Sequence, residues 1–386
     1  MNNIAIIPLR SNSKGIPKKN KKKLLGRPLF AWTLTEAIFS DLSKVYVFTD
    51  DQELLNYIQK EFSWSKKVIA LSRSAESATD LASTETAMIE FAEKIKYDFD
   101  TICLLQATSP LTTRSNINEA IAKLSSEAYD SVLSVVSAKR FIWNEDGSSI
   151  NYNYTERPRR QDFNGTLIEN GAIYISSKDN FIQNKNRLGG KIGFIKMNED
   201  SLTEIDEVSD FIIIEELLKK RFINANRGFN KIKAFCVDVD GVFTDATLTV
   251  TDDGEFSKSF SVRDGMSISL LMATGVEVIV LTSENSKVVA QRMKKLGIAD
   301  TYLNVKDKFS FLEDLLERKE YTRENIAYLG DDINDMANIL SCGLGLCPKD
   351  ADSSIINSAD IVFTRKGGDR VVREACEFII KYNHRF

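Results

Sequence analysis

The feature that most constrains the fold of this chain is an alternation of short apolar segments with amphipathic ones, which runs through both halves of the sequence. The apolar segments are rich in Val, Ile and Phe. In chain order they are NIAIIPL, KVYVFTD, TICLLQA, DSVLSVV and GAIYIS, followed by KAFCVDVD, VEVIVLTS, IAYLGDD and ADIVFT. Short apolar strands separated by helices predict βα units and mainly parallel sheets. We therefore expect an α/β fold with two doubly wound domains.

The length of the chain predicts more than one domain. Its 386 residues exceed the roughly 250 to 300 at which a single hydrophobic core stops growing. A helical pattern, FIIIEELLKKRFI, is followed by NANRGFNK, whose Asn, Gly and Arg content is typical of a connector. We place the boundary near Gly228 and expect domains at residues 1–228 and 229–386.

Composition excludes several classes of protein. No apolar stretch approaches the ~20 residues of a membrane span, so we expect a soluble protein with no membrane partner. A net charge of -4 argues against a nucleic-acid binder. The opening MNNIAIIPLRS enters a strand pattern without the segments of a secretory signal, which favours the cytoplasm. The five scattered cysteines are expected to be buried thiols, because a structural zinc needs about four ligands.

The second half carries polar residues where its predicted strands end. Asp238 and Asp240 stand two residues apart at the end of an apolar strand, so both side chains point the same way. Two such carboxylates need a cation or a shared proton. A lone pair of aspartates often only caps a turn, but three further clusters follow in order and are expected at the same sheet edge. They are Thr282, Lys308, and the group Asp331, Asp332 and Asp335.

This ordered set resembles the haloacid dehalogenase superfamily, and most closely its phosphatases for esters of 3-deoxy-octulosonate and nine-carbon sialic acids. The resemblance covers residues 231–386. It implies that Asp238 is the nucleophile and that Asp240 protonates the leaving alcohol and then activates water. It also implies that Thr282 and Lys308 hold the phosphoryl oxygens. Lys306 is an alternative for the lysine; we prefer Lys308, which follows Asp307 as in the family's pattern.

The same resemblance implies a magnesium site. Asp331 matches the side-chain ligand that acts beside Asp238 and the backbone carbonyl of Asp240. Asp335 stands nearby, either as a ligand or as a supporting group. Mg²⁺ suits an all-oxygen site of carboxylates.

A basic loop follows the first predicted strand and indicates an anion. It contains Gly15, two serines and the cations Arg10, Lys14, Lys18, Lys19, Lys21, Lys22 and Lys23. Such a loop can wrap a triphosphate with backbone amides and lysines, although the common P-loop pattern is absent. A solvated basic turn and a nucleic-acid arm remain the alternatives for this segment alone.

Further segments of the first half resemble the cytidylyltransferases that activate sialic acids, over about residues 3–220. In order they are the basic loop, KLLGRPLFAWTL, VFTDD, LLQATSPL, RRQDF with ENGAIYIS, and TEIDEVSD. The resemblance implies a nucleotidyltransferase domain with a Rossmann-like fold, which takes CTP as substrate. The implied nucleotide contacts are Arg10, Lys14, Lys19, Asn20, Arg73 and Ser83, and the implied sugar-acid contacts are Gln106, Arg160, Asn170 and Tyr174.

The resemblance also makes Asp206 the principal magnesium ligand of the first half. Glu204 stands where these enzymes often have a second aspartate, so its part as a ligand is open. Asp206 and Asp210 precede a predicted helix and could instead favour its positive amino end. Gln106 and Asn170 could satisfy buried backbone groups rather than bind a sugar.

The second half has no room for a cap domain. Between Asp245 and Thr282 only a hairpin, turning at Asp253 and Gly254, and one helix fit. We expect a capless haloacid dehalogenase-like domain whose hairpin brings Leu248, Val250, Phe256 and Phe260 to a neighbouring copy. The resemblance implies a homotetramer formed through this domain.

Together the two resemblances imply a bifunctional enzyme. It would remove the 9-phosphate of a nonulosonate precursor and transfer CMP from CTP to the free sugar acid, releasing pyrophosphate. The sugar is left open among N-acetylneuraminate, KDN, legionaminate-type sugars and 3-deoxy-octulosonate. A second domain that serves mainly as an oligomerisation platform is the rival interpretation.

Overall fold

The computed structural model describes residues 1–13, 15–126, 128–224, 230–250, 252 and 256–386. The chain divides into two compact units, Met1–Leu24 with Pro28–Leu217, and Leu25–Arg27 with Leu218–Phe386. The division falls between Leu217 and Leu218, and the predicted boundary residue Gly228 lies outside the described residues.

The first unit alternates strands and helices, as predicted. Its strands are β1 (Asn3–Leu9), β2 (Lys23–Leu24), β3 (Arg27–Pro28, whose Arg27 belongs to the second unit), β4 (Lys44–Thr49), β5 (Val68–Ser72), β6 (Thr101–Leu105), β7 (Ser131–Ala138), β8 (Thr166–Ser177) and β9 (Ile192–Met197). Its helices are α1 (Leu29–Ile38), α2 (Gln52–Glu61), α3 (Thr84–Lys94), α4 (Arg114–Ser126), α5 (Lys178–Asn184) and α6 (Val208–Asn224), the last of which runs into the second unit.

Seven of these strands form one sheet, in the order β5-β4-β1-β6-β8-β7-β9. The first four are parallel, and β8 runs antiparallel to both β6 and β7. Alternate residues of β1 enter two different cores: Ala5, Ile7 and Leu9 pack into one, and Ile4 and Ile6 into the other. Burial on both faces explains why this strand is an unbroken apolar run.

The second unit has a fully parallel main sheet of six strands, ordered β14-β13-β10-β15-β16-β17. Its strands are β10 (Ala234–Val237), β11 (Thr249–Val250), β12 (Phe256–Ser257), β13 (Glu277–Leu281), β14 (Asp300–Tyr302), β15 (Ile326–Leu329), β16 (Leu344–Cys347) and β17 (Ile361–Val362). Its helices are α7 (Val262–Ala273), α8 (Lys287–Lys295), α9 (Lys308–Lys319), α10 (Met336–Ser341), α11 (Ser353–Ile356) and α12 (Val371–Asn383).

The hairpin expected in the second unit is present as the antiparallel pair β11 and β12, while its predicted turn at Asp253 and Gly254 lies outside the described residues. Phe260 is half-buried against the core of this unit. It therefore does not add to an exposed apolar hairpin, as the sequence had led us to expect. The side chain of Phe256 is not among those described.

All five cysteines are buried and free, as predicted. Among the described residues, no helix has both the length and the apolar composition that crossing a membrane requires.

In both main sheets the direction in which successive strands are added reverses next to the first strand of the sheet. In the first sheet the chain moves outward from β1 to β4 and β5 and then returns to β6, on the other side of β1. In the second sheet β10 plays the same part, with β13 on one side and β15 on the other. Open α/β sheets bind ligands at such reversals, outside the carboxyl ends of the strands.

A buried carboxyl joins two helices of the second unit. The backbone N–H of Arg373 in α12 donates to Oδ1 of Asp264 in α7, at 2.9 Å. Oδ2 of Asp264 is buried and has no hydrogen-bond partner among the described residues. Burial raises the pKa of Asp264 to about 6, although the Arg373 N–H and the charges of Arg292 and Arg370 oppose the rise.

This raised pKa predicts a stability penalty at neutral pH. Between the ordinary value of 3.8 and about 6, the folded chain binds more protons at Asp264 than the unfolded chain does, so stability falls as pH rises through that window. Asp264→Asn does not titrate and keeps an acceptor for Arg373. The difference in free energy of local unfolding, variant minus parent, should therefore increase between pH 4 and pH 7, by at most about 3 kcal/mol.

Hydrogen–deuterium exchange of the α7 amides, corrected for the intrinsic effect of pH, measures this difference. A constant offset between the two proteins over the whole pH range would show that Asp264 does not titrate as described.

Candidate active sites

The ends of three adjacent strands in the second unit carry the polar residues that the sequence singled out. Asp238 follows β10, Thr282 follows β13, and Asp331 lies two residues beyond β15. The backbone N–H of Asp238 donates to the carbonyl of Leu329 at 3.0 Å, which ties two of these strand ends together. A pocket of about 240 Å³ contains all three side chains together with Asp240.

Lys308 is a fully buried cation of this site. It begins α9, and its Nζ lies 2.9 Å from Oδ1 of Asp238 and 2.8 Å from Oδ1 of Asp335. Burial opposes its charge, but the two carboxylates outweigh that effect and hold the pKa of Lys308 above its ordinary value. Lys306, the alternative, is exposed, and its Nζ donates to the carbonyl of Ser283 instead. Lys308 is therefore the lysine that contacts the predicted nucleophile.

Asp335 is buried and directs its carboxylate to Lys308 and neighbouring protein groups rather than to solvent. Its Oδ1 also accepts from the hydroxyl of Tyr328 at 2.6 Å, and its Oδ2 accepts from the backbone N–H of Asp331 at 3.3 Å. Both oxygens are thus engaged. The geometry suits a group that positions Lys308 and the loop of Asp331.

Three carboxylates gather closely enough to hold a cation. Asp238, Asp331 and Asp335 each offer an oxygen, and these atoms all lie within 4.8 Å of one another. Oδ1 of Asp331 is buried without a hydrogen-bond partner among the described residues. Burial, together with the charges of Asp335 and Asp238, raises the pKa of Asp331 to about 8 against the opposing charge of Lys308. Such a cluster fits a hard divalent cation, which would supply the missing positive charge.

Asp240 stands at the open side of the pocket. Its side chain is about a third exposed, and its Oδ1 accepts from Nζ of Lys258. Lys258 follows β12, its side chain is almost fully buried, and it also lies 2.6 Å from Oε2 of Glu284. A carboxyl that is both lysine-bound and partly open to solvent is placed to exchange protons with a substrate.

The structure explains why the sequence DVDG ends in a glycine, Gly241. Its φ is +78°, and a Cβ there would lie 1.8 Å from Oδ2 of Asp331. The turn after Asp240 and the approach of Asp331 both require a residue without a side chain. Gly241 thus lets the aspartates of two strands share one pocket.

The first unit has a cleft of about 370 Å³ at its own strand order reversal. Several predicted residues line it together. They are Arg10, which follows β1, Lys19 and Asn20 from the basic loop, Arg73 after β5, Ser83 before α3, Gln106 after β6, and Asp206. Lys14 was also predicted here, but it lies outside the described residues.

Two arginines bring positive charge into this cleft. Nε of Arg73 donates to the hydroxyl of Ser77 at 3.1 Å. Burial lowers the pKa of its guanidinium, and the charge of Arg10 lowers it too, against the opposing charges of Asp50 and Glu90. Nη1 of Arg10 donates to the carbonyl of Thr79 and lies 3.2 Å from Asp80. Two cations within electrostatic reach of each other favour a bound anion.

Lys19 links the basic loop to the predicted metal ligand. Its Nζ donates to the carbonyl of Ile205 at 2.6 Å and lies 3.1 Å from Oδ1 of Asp206. Glu204 also lines the cleft, and its pKa is raised by burial and by Asp206, against the opposing charge of Lys19. Gly15 allows this closeness, since a Cβ on it would lie 2.4 Å from the carbonyl oxygen of Asp206.

Asp210 has a capping contact. Asp210 lies in the first turn of α6, and its Oδ2 accepts from the backbone N–H groups of Asp206 and Glu207 just before the helix, at 2.8 and 2.7 Å. Asp206 itself is exposed over 74% of its side chain. The contacts thus give Asp210 a capping role and leave most of the Asp206 side chain exposed, a distinction that the sequence alone could not make.

Three residues predicted around the sugar do not line this cleft. Arg160 is exposed and lies 3.9 Å from Glu199. Asn170 is buried, where it accepts from the Ser134 hydroxyl and donates to Ser201. Tyr174 is buried in a core, and its hydroxyl donates to Glu169.

Sequence reasoning missed several residues of both sites. Asp80 and Thr84 line the cleft of the first unit, and Lys258 and Glu284 line the pocket of the second. None was singled out from the sequence, although Glu284 directly follows the predicted segment VEVIVLTS. Only their tertiary positions place them there.

Comparisons with known proteins match two different families to the two parts of the chain. A family model for cytidylyltransferases matches residues 4–233, and one for haloacid dehalogenase-like hydrolases matches residues 281–374. N-acylneuraminate cytidylyltransferase B of Danio rerio is 32% identical over 387 residues, covering 97% of this chain and 90% of that protein. The 3-deoxy-D-manno-octulosonate 8-phosphate phosphatase of Escherichia coli (strain K12) is 36% identical over 149 residues, covering 39% of this chain and 79% of that protein.

One solved structure is similar to part of this chain. It is a crystal structure of 3-deoxy-D-manno-octulosonate 8-phosphate phosphatase from Moraxella catarrhalis, in complex with magnesium ion, phosphate ion and KDO. It is 28% identical, covers 44% of this chain and 94% of that one, and has a TM-score of 0.40. The cytidylyltransferase model spans more than half of this chain, and the Danio rerio protein aligns along nearly all of it. The chain therefore belongs to the cytidylyltransferase family, with a phosphatase of the haloacid dehalogenase class as its second unit.

Proposed function

We propose that this enzyme transfers CMP from CTP to a sialic-acid-type nonulosonate, N-acetylneuraminate or KDN, and that its second unit hydrolyses the 9-phosphate of the precursor of that sugar acid. The observation that carries the proposal is the residue content of the two sites. A cleft that brings Arg10, Arg73 and Lys19 together beside Asp206 suits a triphosphate with its metal ion, and a carboxylate cluster contacted by two buried lysines suits phosphoryl transfer through an aspartate.

In the first unit, the anomeric hydroxyl oxygen of the sugar attacks the α-phosphorus of CTP. The bond between the α-phosphorus and its bridging oxygen breaks, pyrophosphate leaves with that oxygen, and the hydroxyl proton passes to solvent. Arg10, Arg73 and Lys19 offset the charge that develops on the phosphates. Most of the rate enhancement comes from positioning and charge neutralisation, which suits a cleft without histidine.

In the second unit, a carboxylate oxygen of Asp238 attacks the phosphorus of the ester. The bond to the sugar oxygen breaks, and Asp240 gives that oxygen a proton. Asp240 then takes a proton from water, which attacks the aspartyl phosphate and releases inorganic phosphate and free Asp238. Lys308 and Thr282 hold the phosphoryl oxygens, and Lys258 holds Asp240 in place.

Magnesium fits both sites by the chemistry of their oxygen ligands. Asp238, Asp331 and the backbone carbonyl of Asp240 would hold it in the second unit, and Asp206, with Glu204 beside it, in the first. When bound, the ion supplies positive charge that offsets phosphate charge in the reaction.

The choice of sugar acid is the finer part of the proposal. The relative from Danio rerio favours a nonulosonate, whereas the Escherichia coli phosphatase favours 3-deoxy-octulosonate as the alternative for the second unit. Free and phosphorylated forms of both sugar classes, assayed with CTP and magnesium for phosphate and pyrophosphate separately, distinguish them. The complete set of Asp238, Asp240, Lys308 and Asp331 argues against a second unit that is only an oligomerisation platform.

We also propose that the chain forms a homotetramer through its second unit and acts in the cytoplasm. An apolar stripe on α7 supports the assembly. Val262, Met266 and Leu270 repeat every four residues, so they share one helix face, and they are 81%, 62% and 53% exposed. Leu248 and Val250 of the hairpin are exposed as well. A second copy packed on this stripe would bury it and cover the capless pocket.

Independence of the two activities is the first expectation of this scheme. Asp238→Asn removes the nucleophile, so phosphate release from the sugar phosphate should fall to background. Pyrophosphate release from CTP and the free sugar should continue at the parent rate, because the cleft of the first unit contains none of the changed atoms. Loss of both activities in a folded variant would contradict separate sites.

The cleft of the first unit gives a second expectation. Arg10→Ala and Lys19→Ala should each lower kcat/KM for cytidylyl transfer by roughly 10²-fold, since each removes a charge that faces the phosphates. Lys23→Ala is the matched control, because this exposed lysine belongs to the same basic segment but does not line the cleft. Losses below threefold at both cleft positions would reject their assigned roles.

The α7 stripe gives a third expectation. The pair Met266→Glu and Leu270→Glu places charge on the stripe and should lower the mass measured by light scattering, together with phosphatase activity if a neighbour completes the pocket. Ile182→Glu, on an exposed apolar residue of the first unit, is the control and should change neither. A parent enzyme that is monomeric and fully active would disprove the assembly.

A further inference from the structure

Helix α3 of the first unit contributes to the cleft at its amino end and contacts a second cleft segment further along. Ser83, directly before the helix, and Thr84, its first residue, both line the cleft. Glu90 and Lys94, in later turns of the helix, contact the segment that follows β5 and contains Arg73. The helix therefore both forms a wall of the cleft and supports one of its cations.

Glu90 is connected to the guanidinium of Arg73 through the hydroxyl of Ser77. Oε1 of Glu90 accepts from the backbone N–H of Ser74, and Oε2 accepts from the Ser74 hydroxyl, both at 2.9 Å. The hydroxyl of Ser77 also donates to Oε2 of Glu90. The same hydroxyl accepts from Nε of Arg73 at 3.1 Å, and the Ser77 carbonyl accepts from Nη2. One carboxylate thus fixes the turn to which the buried arginine is bonded.

Lys94 offsets the negative charge of this carboxylate. Its Nζ lies 2.9 Å from Oε1 of Glu90 and donates to the carbonyl of Ser72 at 2.7 Å. Burial opposes the charge of Glu90, but hydrogen bonds from Ser77, Lys94 and Ser74 outweigh that effect and lower its pKa to about 2. Because the carboxylate is paired with an ammonium, we expect it to affect the cleft more through the geometry that it imposes than through its charge.

We propose that Glu90 is a positioning residue of the transferase, which holds Ser77, and through Ser77 the guanidinium of Arg73, in the orientation that meets the phosphates of CTP. This inference rests on the proposed transferase function, in which Arg73 offsets phosphate charge. A cation that is misplaced by about 1 Å can lower a rate by as much as roughly 10²-fold. The support of Arg73 is therefore a determinant of nucleotide use even though Glu90 does not line the cleft.

The test is a double-mutant cycle on pyrophosphate release from CTP and the free sugar acid. Glu90→Ala alone should raise KM for CTP and lower kcat/KM for CTP by roughly tenfold, while KM for the sugar acid keeps its parent value. In the Arg73→Ala background the same change should cost less than about twofold, because the group that Glu90 positions is absent. Glu90→Gln, which keeps one acceptor oxygen, should lose less activity than Glu90→Ala.

Glu93→Ala is the matched control, because this exposed glutamate belongs to the same helix and does not line the cleft, so its kinetics should equal those of the parent. Thermal unfolding of each variant sets an assay temperature at which it is folded. Equal losses from Glu90→Ala in both backgrounds overturn the inference while the transferase function stands. A lower KM for CTP in Glu90→Ala also overturns it, since the carboxylate would then act by weakening the charge of Arg73. A parent enzyme that releases no pyrophosphate with any nonulosonate overturns both.

Discussion

The second unit depends on one buried cation. Lys308 is withdrawn from water at the end of a parallel sheet, where an isolated ammonium would be very costly, and Asp238 and Asp335 offset that cost at 2.9 and 2.8 Å. Tyr328 and the Asp331 backbone complete the same network through Asp335. Asp238, the proposed nucleophile, is therefore oriented by Lys308, which is proposed to hold the phosphoryl oxygens, so that the fold and the proposed site share one set of contacts.

The first unit uses a related topology with a different balance of charge. Its cleft also lies where the strand order reverses, but among the described residues three cations stand beside three acids there, whereas carboxylates outnumber lysines in the second unit. Arg73 keeps its place through Ser77, and Arg10 through Thr79 and Asp80, so the cations are positioned by short loops instead of by a buried partner. In the second unit a divalent cation would bring the missing positive charge.

Under the proposed function the two activities would follow one another, because the free sugar acid that the phosphatase releases is the proposed acceptor of the transferase reaction. Glycine makes the close approaches in each unit possible. Gly241 brings Asp331 beside the DVDG turn, and Gly15 brings the basic loop to Asp206, where even one methyl group would collide.

From the sequence came the central strands of both main sheets, the two-part organisation and the residues that stand directly after those strands, because these follow from local periodicity and from motif order. Strands β5, β9, β14 and β16 were not among the predicted segments. Asp238, Thr282 and Asp331 meet because parallel strands end at one edge, and a pattern of strands predicts that edge. Tertiary structure showed that Lys308, which the sequence had favoured over Lys306, is the lysine that contacts Asp238, since both lie in one short segment and packing separates them. It also brought in Lys258 and Glu284 and placed Asn170 and Tyr174 in buried hydrogen bonds, because side-chain partners distant in sequence leave no local pattern.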